Sequence, residues 1–361
     1  MKERIAFVDY IRVVACFMVM LVHSAENFYC VTFDEAMLAN ESNRLWVSLY
    51  DGFLGRVSVP LFIIVSAFLL VPMPEGMTMR QFYRRRFMRI LPPMICFLLL
   101  YALLPLAWGG TTWEQAMADL RMVPFNFPPM AGHLWFMYPL ISIYLIIPVV
   151  SPWLERASAR DERLFLLFFV VSTLLPWLHH FVSPTIWGEC HWNQFSALWY
   201  CSGYLGYVVL AHYIRVHLKW SQRRRLTIGT ICFIVGGAFT AWSFWMKGVP
   251  GVQMPTPEME WSWQFCTPNV LLSTFGAFLL FTCIRRAPSF ITSIAKLTFG
   301  MYLMHIFFLV PISGRLIAGN VAEPLLPVWL AIPVIAVLTY ICCIIATKLV
   351  SLLPGSKYIV G

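Results

Sequence analysis

What most constrains this chain is the recurrence of apolar stretches long enough to cross a lipid bilayer. A bilayer core takes about 20 helical residues. Ten stretches of that character can be marked, at 5–22, 57–71, 90–108, 134–150, 164–181, 195–213, 226–245, 265–284, 297–317 and 325–350. Of the 361 residues 60% are apolar and 12% charged, where a soluble chain carries about 45–50% and about 25%. That balance excludes a disordered chain, a disulfide scaffold and an ordinary soluble enzyme. The expected architecture is all-α, a polytopic transmembrane helical bundle of about ten spans. It is expected to be a single integral-membrane domain over residues 1–361, with no appended soluble domain. The first stretch carries Asp9 and Arg12 and no small-residue cleavage site follows it, so it reads as a retained span and not as a signal peptide.

A net charge of +9 would suggest nucleic acid in a soluble protein. In a membrane protein the positive-inside rule accounts for it, and no nucleic-acid partner is expected. With the N-terminus inside, 20 of the Lys and Arg residues fall on inner segments, against five outside: Arg44, Arg56, Arg121, Lys247 and Arg315. This asymmetry places both termini in the cytoplasm. The outer segments hold most of the acids, with Trp113, Trp187, Trp192 and Trp261 as interface anchors or a platform for a sugar ring. The ten Cys show no CxxC pairing and mostly lie in apolar runs, where Cys behaves as a small hydrophobe. No metal site is expected. Cys30 and Cys190, both placed outside, can form a disulfide in an oxidising compartment, with Cys266 as a competing partner.

The first stretch is the informative one. Asp9, Arg12 and His23 interrupt a run that should be apolar. Charged residues in spans are costly and face the bundle interior. Asp9 and Arg12 are i,i+3 and can pair on one face. Arg12 and His23 are eleven residues apart, about 16 Å along a helix and nearly on the same face. Glu26 and Asn27 lie one turn beyond His23 and can orient its ring. The plainer alternatives are a register-fixing ion pair for Asp9 and Arg12, and a water-satisfied interface imidazole for His23.

Five arginines crowd into ten residues just before the third span: Arg80, Arg84, Arg85, Arg86 and Arg89. They read equally as a topogenic cluster, as a phosphate clamp, since guanidinium forks match phosphate oxygens, or as a site for an anionic lipid head group. Arg86 and Arg89 share a face if the third helix has begun there. Ser66 and Ala67 permit close helix contact. His133 and Trp135 stand at the outer mouth of the fourth span, and His305 lies about a third of the way into the ninth. An intramembrane His is a functional candidate, or a hydrogen-bonded core residue. His179, His180 and His191 have no zinc spacing, and His212 and His217 contribute polarity at an inner end.

These constellations, in this order, resemble the membrane-bound acyltransferase 3 family. The matching residues are Asp9 and the Arg12-to-His23 spacing, SAF at 66–68, Arg86 and Arg89 leading into Leu91 and Pro92, HLWF at 133–136 with Tyr144 and Pro148, and MYLMH at 301–305. Ala67 replaces the family's usual Gly, a small-for-small change. The resemblance covers essentially the whole chain. It implies transfer of an acetyl or other short acyl group from cytoplasmic acyl-CoA to a hydroxyl of a cell-envelope carbohydrate. It also implies a multi-pass protein of the bacterial inner (plasma) membrane.

On that resemblance, His23 is the expected catalytic residue, as general base or as a transiently acylated nucleophile, with Glu26 as its partner. Arg12, Arg85, Arg86 and Arg89 are expected to hold the donor. Asp9, Ser66, His133, Trp135, Tyr302 and His305 are expected to support substrate or structure. No cofactor is bound permanently; acetyl-CoA is a substrate. The other expected partners are a carbohydrate or glycolipid acceptor and membrane lipid, and the oligomeric state is left open. The rival reading is a proton-coupled transporter of a small molecule or glycan precursor, which also uses intramembrane His and Asp and broken helices. No inverted repeat supports it.

Overall fold

Long apolar segments with capped ends dictate a structure built from helices, and the computed structural model has that form over residues 5–30, 40–191, 197–247, 256–317 and 324–361. Helix accounts for 77% of it, with no strand. Among the described residues, eight helices are long and apolar enough to cross a membrane. In chain order they are α1 (Ala6–Glu26), α2 (Glu41–Leu70), α3 (Met79–Trp108), α5 (Pro129–Arg156), α6 (Ala159–Phe181), α8 (Gln222–Lys247), α11 (Thr298–Ile317) and α12 (Val328–Val350). Between them lie α4 (Trp113–Met122), α7 (Tyr204–Val216), α9 (Pro268–Thr282) and α10 (Ser289–Ala295).

The ten-span expectation and the eight long helices differ at two places. The stretch expected at 195–213 becomes α7, a helix of 13 residues; its expected start falls partly on residues 192–196, outside the described residues. The stretch expected at 265–284 becomes α9, of 15 residues, which opens at Pro268, a residue suited to the first helical position. Both are too short to cross a full bilayer core alone.

The second expected span, 57–71, is only the last part of α2. The chain is already helical from Glu41, passes through a π-helical stretch at Ser48–Leu54 and one tight turn at Gly55–Val57, and resumes as α-helix at Ser58. This brings Arg44, Asp51 and Arg56, assigned by sequence to an outer loop, into a helix where all three are buried.

Local chemistry sets the helix starts. Thr78 caps α3 by accepting from the Gln81 backbone N–H, and Gln81 returns the bond to the Thr78 N–H. Ser158 and Asp161 do the same for α6. Such reciprocal caps satisfy donors the helix would otherwise leave open. Between α8 and α9 the contact is backbone to backbone: a side chain at Gly276 would strike the backbone of Phe233, and one at Gly236 that of Asn269. Small residues at crossings let membrane helices pack this closely. Ile231, Ile234, Val235, Ile341 and Ile345 lie on the outer faces of α8 and α12 and are exposed, as a lipid-facing surface requires.

Helix α1 runs through the middle of the bundle. Ile11, Ala15 and Met20 are fully buried. The Tyr340 hydroxyl of α12 donates to the Val13 carbonyl at 3.1 Å, and the Cys16 thiol lies 3.7 Å from the Thr298 carbonyl of α11. The polar residues of α1 are therefore held among helices, away from lipid.

Candidate active site

Helices α1, α2, α3, α5 and α11 enclose a cavity of about 390 Å³. Its cationic lining is Arg12 from α1, Arg86 and Arg89 from the first turns of α3, and Lys296 from the turn before α11. Ser66 and Tyr302 line it as well, and Tyr144 of α5 stands in the same wall. Residues from five separate stretches of sequence thus converge on one chamber. Arg85 does not line it and is exposed on another side of α3. Lys296, which sequence reasoning counted only as an inner positive charge, does line it.

One to three turns further along α1 and α11 lies a cluster of three histidines. The His23 Nδ1–H donates to Glu26 Oε2 at 2.5 Å. Asn27 spans the same turn but bonds the His23 carbonyl at 2.7 Å, so it secures the end of the helix and Glu26 orients the ring. The His305 ring stacks on His23, and His133 meets His305 edge to face, with ring centroids 4.7 Å apart. Only His23 of the three keeps appreciable exposure, at 20% of its side chain; His305 is fully buried.

The partners fix which nitrogen of each ring carries a proton. His305 Nδ1 faces the Tyr302 carbonyl at 2.7 Å, and His133 Nε2 faces the Leu303 carbonyl at 3.3 Å. A carbonyl only accepts, so each of these nitrogens donates. The other nitrogen of each ring, His305 Nε2 and His133 Nδ1, is buried with no hydrogen-bond partner. By the same reasoning His23 presents Nε2 as its free basic position.

Tyr302 joins the two regions. Its side chain lines the cavity and its hydroxyl donates to the His133 carbonyl at 2.6 Å. Its own carbonyl holds His305. Trp135 stacks on Phe265 with centroids 5.6 Å apart, at an angle of 14°, and has no place in the cavity lining. Asp9 is buried on α1.

A buried ionic network flanks the histidines. Arg56 Nε lies 2.9 Å from Asp51 Oδ1, and Arg56 Nη2 lies 3.2 Å from Glu260 Oε1. The guanidinium sits 4.4 Å from the ring centre of Trp263. The Tyr29 hydroxyl lies within hydrogen-bond distance of both Asp51 Oδ2 (2.8 Å) and Glu260 Oε1 (2.6 Å) and donates its one proton to either. Burial, followed by the charges of Asp51 and Glu260, holds the Tyr29 phenol well above its ordinary range. Tyr29, three residues beyond Glu26, ties this network to the end of α1 that carries His23. Asp51 and Arg56 are five residues apart, a spacing that an α-helix keeps apart and the wider π turn brings together. A side chain at Gly55 would collide with Val22, so this turn of α2 rests directly on the residue preceding His23.

All ten cysteines are thiols, and no disulfide joins Cys30 to Cys190 or Cys266.

A family model described as an acyltransferase domain matches residues 5–348. The chain is also similar to a protein of Bacillus subtilis (strain 168) named "Putative membrane-bound acyltransferase YfiQ". The two are 24% identical over 345 residues, covering 92% of this chain and 86% of the relative. No solved structure matches.

Proposed function

The chain belongs to the acyltransferase 3 family and is a membrane acyltransferase, and from that premise we propose that it moves an acetyl or other short acyl group from acyl-CoA to a hydroxyl of a cell-envelope carbohydrate. The observation that carries this reading is the cavity itself. It gathers Arg12, Arg86, Arg89 and Lys296 in one chamber, and Tyr302 in its wall holds His305, the ring that stacks on His23. Guanidinium and ammonium groups suit the phosphates of a nucleotide-bearing donor. The slender arm between those phosphates and the thioester is the part that fits the remaining distance along α1.

In this reaction His23 Nε2 takes the proton of the acceptor hydroxyl as its oxygen attacks the thioester carbonyl. The tetrahedral intermediate collapses with loss of the CoA thiolate, which recovers that proton from the imidazolium. Glu26 stabilises the imidazolium through Nδ1–H. A positioned base of this kind contributes about 10²–10⁴-fold. The donor approaches from the cytoplasmic face of a bacterial inner membrane, and the acceptor from the opposite face.

The decisive experiment incubates purified protein in lipid nanodiscs with radiolabelled acetyl-CoA and envelope glycan. Label in the glycan that depends on His23 supports the reading. Uptake of a solute by proteoliposomes, with no transfer of label, would favour a transporter instead.

A further inference from the structure

Away from the cavity, a second set of side chains converges where α6 begins and α7 ends. Glu162, in the first turn of α6, is completely buried. His212, near the end of α7, is buried, and His217, just beyond it, is half-buried. His212 Nδ1 lies 2.8 Å from Glu162 Oε1, and His217 Nε2 lies 3.0 Å from the same oxygen. One ligand atom from each residue lies within 4.8 Å of the other two. The imidazole planes are inclined at 76°, so the two rings approach the carboxylate from different directions.

Hydrogen bonding alone accounts poorly for this arrangement. Both imidazoles converge on Oε1, while Oε2 of the same buried carboxyl has no partner. Buried carboxylate oxygens are normally satisfied, because nothing offsets their lost hydration otherwise. We propose that Glu162, His212 and His217 bind a borderline divalent cation of the Zn²⁺ class.

Two imidazole nitrogens and one carboxylate are the ligand types such ions prefer. Zinc bonds of about 2.0–2.2 Å in a tetrahedron set neighbouring ligand atoms about 3.3 Å apart. The two nitrogen–Oε1 separations therefore need to open by only about half an ångström or less, and Oε2 is available as an additional donor. A water would complete the coordination.

The ion would act as a clip. Gly206 of α7 already packs against Phe169 of α6 so closely that a side chain there would overlap the Phe169 ring. Arg215 of α7 donates to the Phe68 and Val71 carbonyls at the end of α2. A metal joining Glu162 to His212 and His217 would lock the corner of α6 and α7 beside the helix end that borders the cavity. It lies apart from His23 and takes no part in acyl transfer.

The test uses full-length protein in detergent, purified through a tag free of histidine. After incubation with ZnCl₂ and desalting, metal content is measured by inductively coupled plasma mass spectrometry. Wild type should retain about one zinc per chain, and Glu162→Gln and His217→Ala should each weaken binding by about tenfold or more. Cobalt-loaded wild type should show the visible bands of a tetrahedral nitrogen–oxygen site, a readout that needs no variant to fold. No retained zinc in wild type, or zinc content unchanged in both variants, would mean the three residues form only a hydrogen-bonded cluster. Zinc lost only on His179→Ala would assign the metal to the His179–Glu189 pair, whose Nε2 and Oε2 are 2.7 Å apart, and would overturn the proposal as well.

Discussion

His305 lies nearly flat against His23, with ring centroids 5.2 Å apart and planes 24° from parallel. The two residues come from α1 and α11, 282 positions apart in the chain. Because His305 is anchored through Nδ1 to the Tyr302 carbonyl, it cannot swing away, and it limits the orientations open to His23. The pair therefore separates roles that sequence leaves merged: one imidazole is accessible and paired with a carboxylate, and the other is a fixed backing.

That separation makes the first prediction. His23→Ala and His23→Gln should lower acyl transfer by about 10²–10⁴-fold, with insertion and thermal stability near wild type. Glu26→Gln should fall between them and wild type, because it keeps a hydrogen-bond acceptor and loses the charge. His305→Ala should cost less turnover but more stability. Turnover measured at saturating donor and acceptor decides this. Activity surviving in His23→Ala would move the base to another residue.

The cationic lining of the cavity makes the second. Arg86→Ala, Arg89→Ala and Lys296→Ala should each raise KM for acyl-CoA about tenfold, as loss of one charge-assisted contact implies, with little change in KM for the acceptor. Arg86→Lys should recover only part of this, since the fork geometry is lost. Arg85→Ala, outside the cavity, should resemble wild type. Equal donor KM for Arg85→Ala and Arg86→Ala would leave the arginines a topogenic role alone.

The ionic network makes the third. Arg56→Met should destabilise by about 3–5 kcal/mol, because it strands the buried Asp51 carboxylate. Thermal unfolding in detergent should shift on the order of 5–10 °C lower. The double variant Arg56→Met with Asp51→Leu should recover much of the loss. A double variant no more stable than the single one would show that the network is held for a reason other than charge pairing.

Orientation is the subject of the fourth. The Lys and Arg asymmetry puts Asn40 outside and Arg224 inside. A membrane-impermeant thiol reagent should therefore label Asn40→Cys in intact cells and spare Arg224→Cys, each measured in a background without accessible native thiols. Labelling of Arg224→Cys would reverse the topology.

The stripe on α1 was legible because charge in an apolar run has few explanations, and Asp9, Arg12 and His23 stand out without any partner being known. The pairing of Arg86 and Arg89 was legible from helix spacing, while Arg85 was not separable from them until the helix face was seen. Other features depend on facts a linear reading does not hold. Asp51 and Arg56 look like loop residues, because polar side chains break the apolar run and a five-residue spacing fits no α-helical face. Glu162 and His212 are 50 positions apart, so their convergence is a product of packing. The short helices α7 and α9 were read as full spans because apolar residues continue past the points where the backbone stops being helical.

Helix α1 has one further consequence. A helix is stiff, so the eleven residues from Arg12 to His23 act as a caliper, set at about 16 Å by residue count. Inserting or deleting one residue between them would rotate the imidazole by about 100° about the axis and shift it about 1.5 Å relative to Arg12, taking it off the His305 ring on α11. On the proposed reading, such a change should alter which donors reach the base according to the length of their arm, leaving the strength with which their phosphates are gripped unaltered.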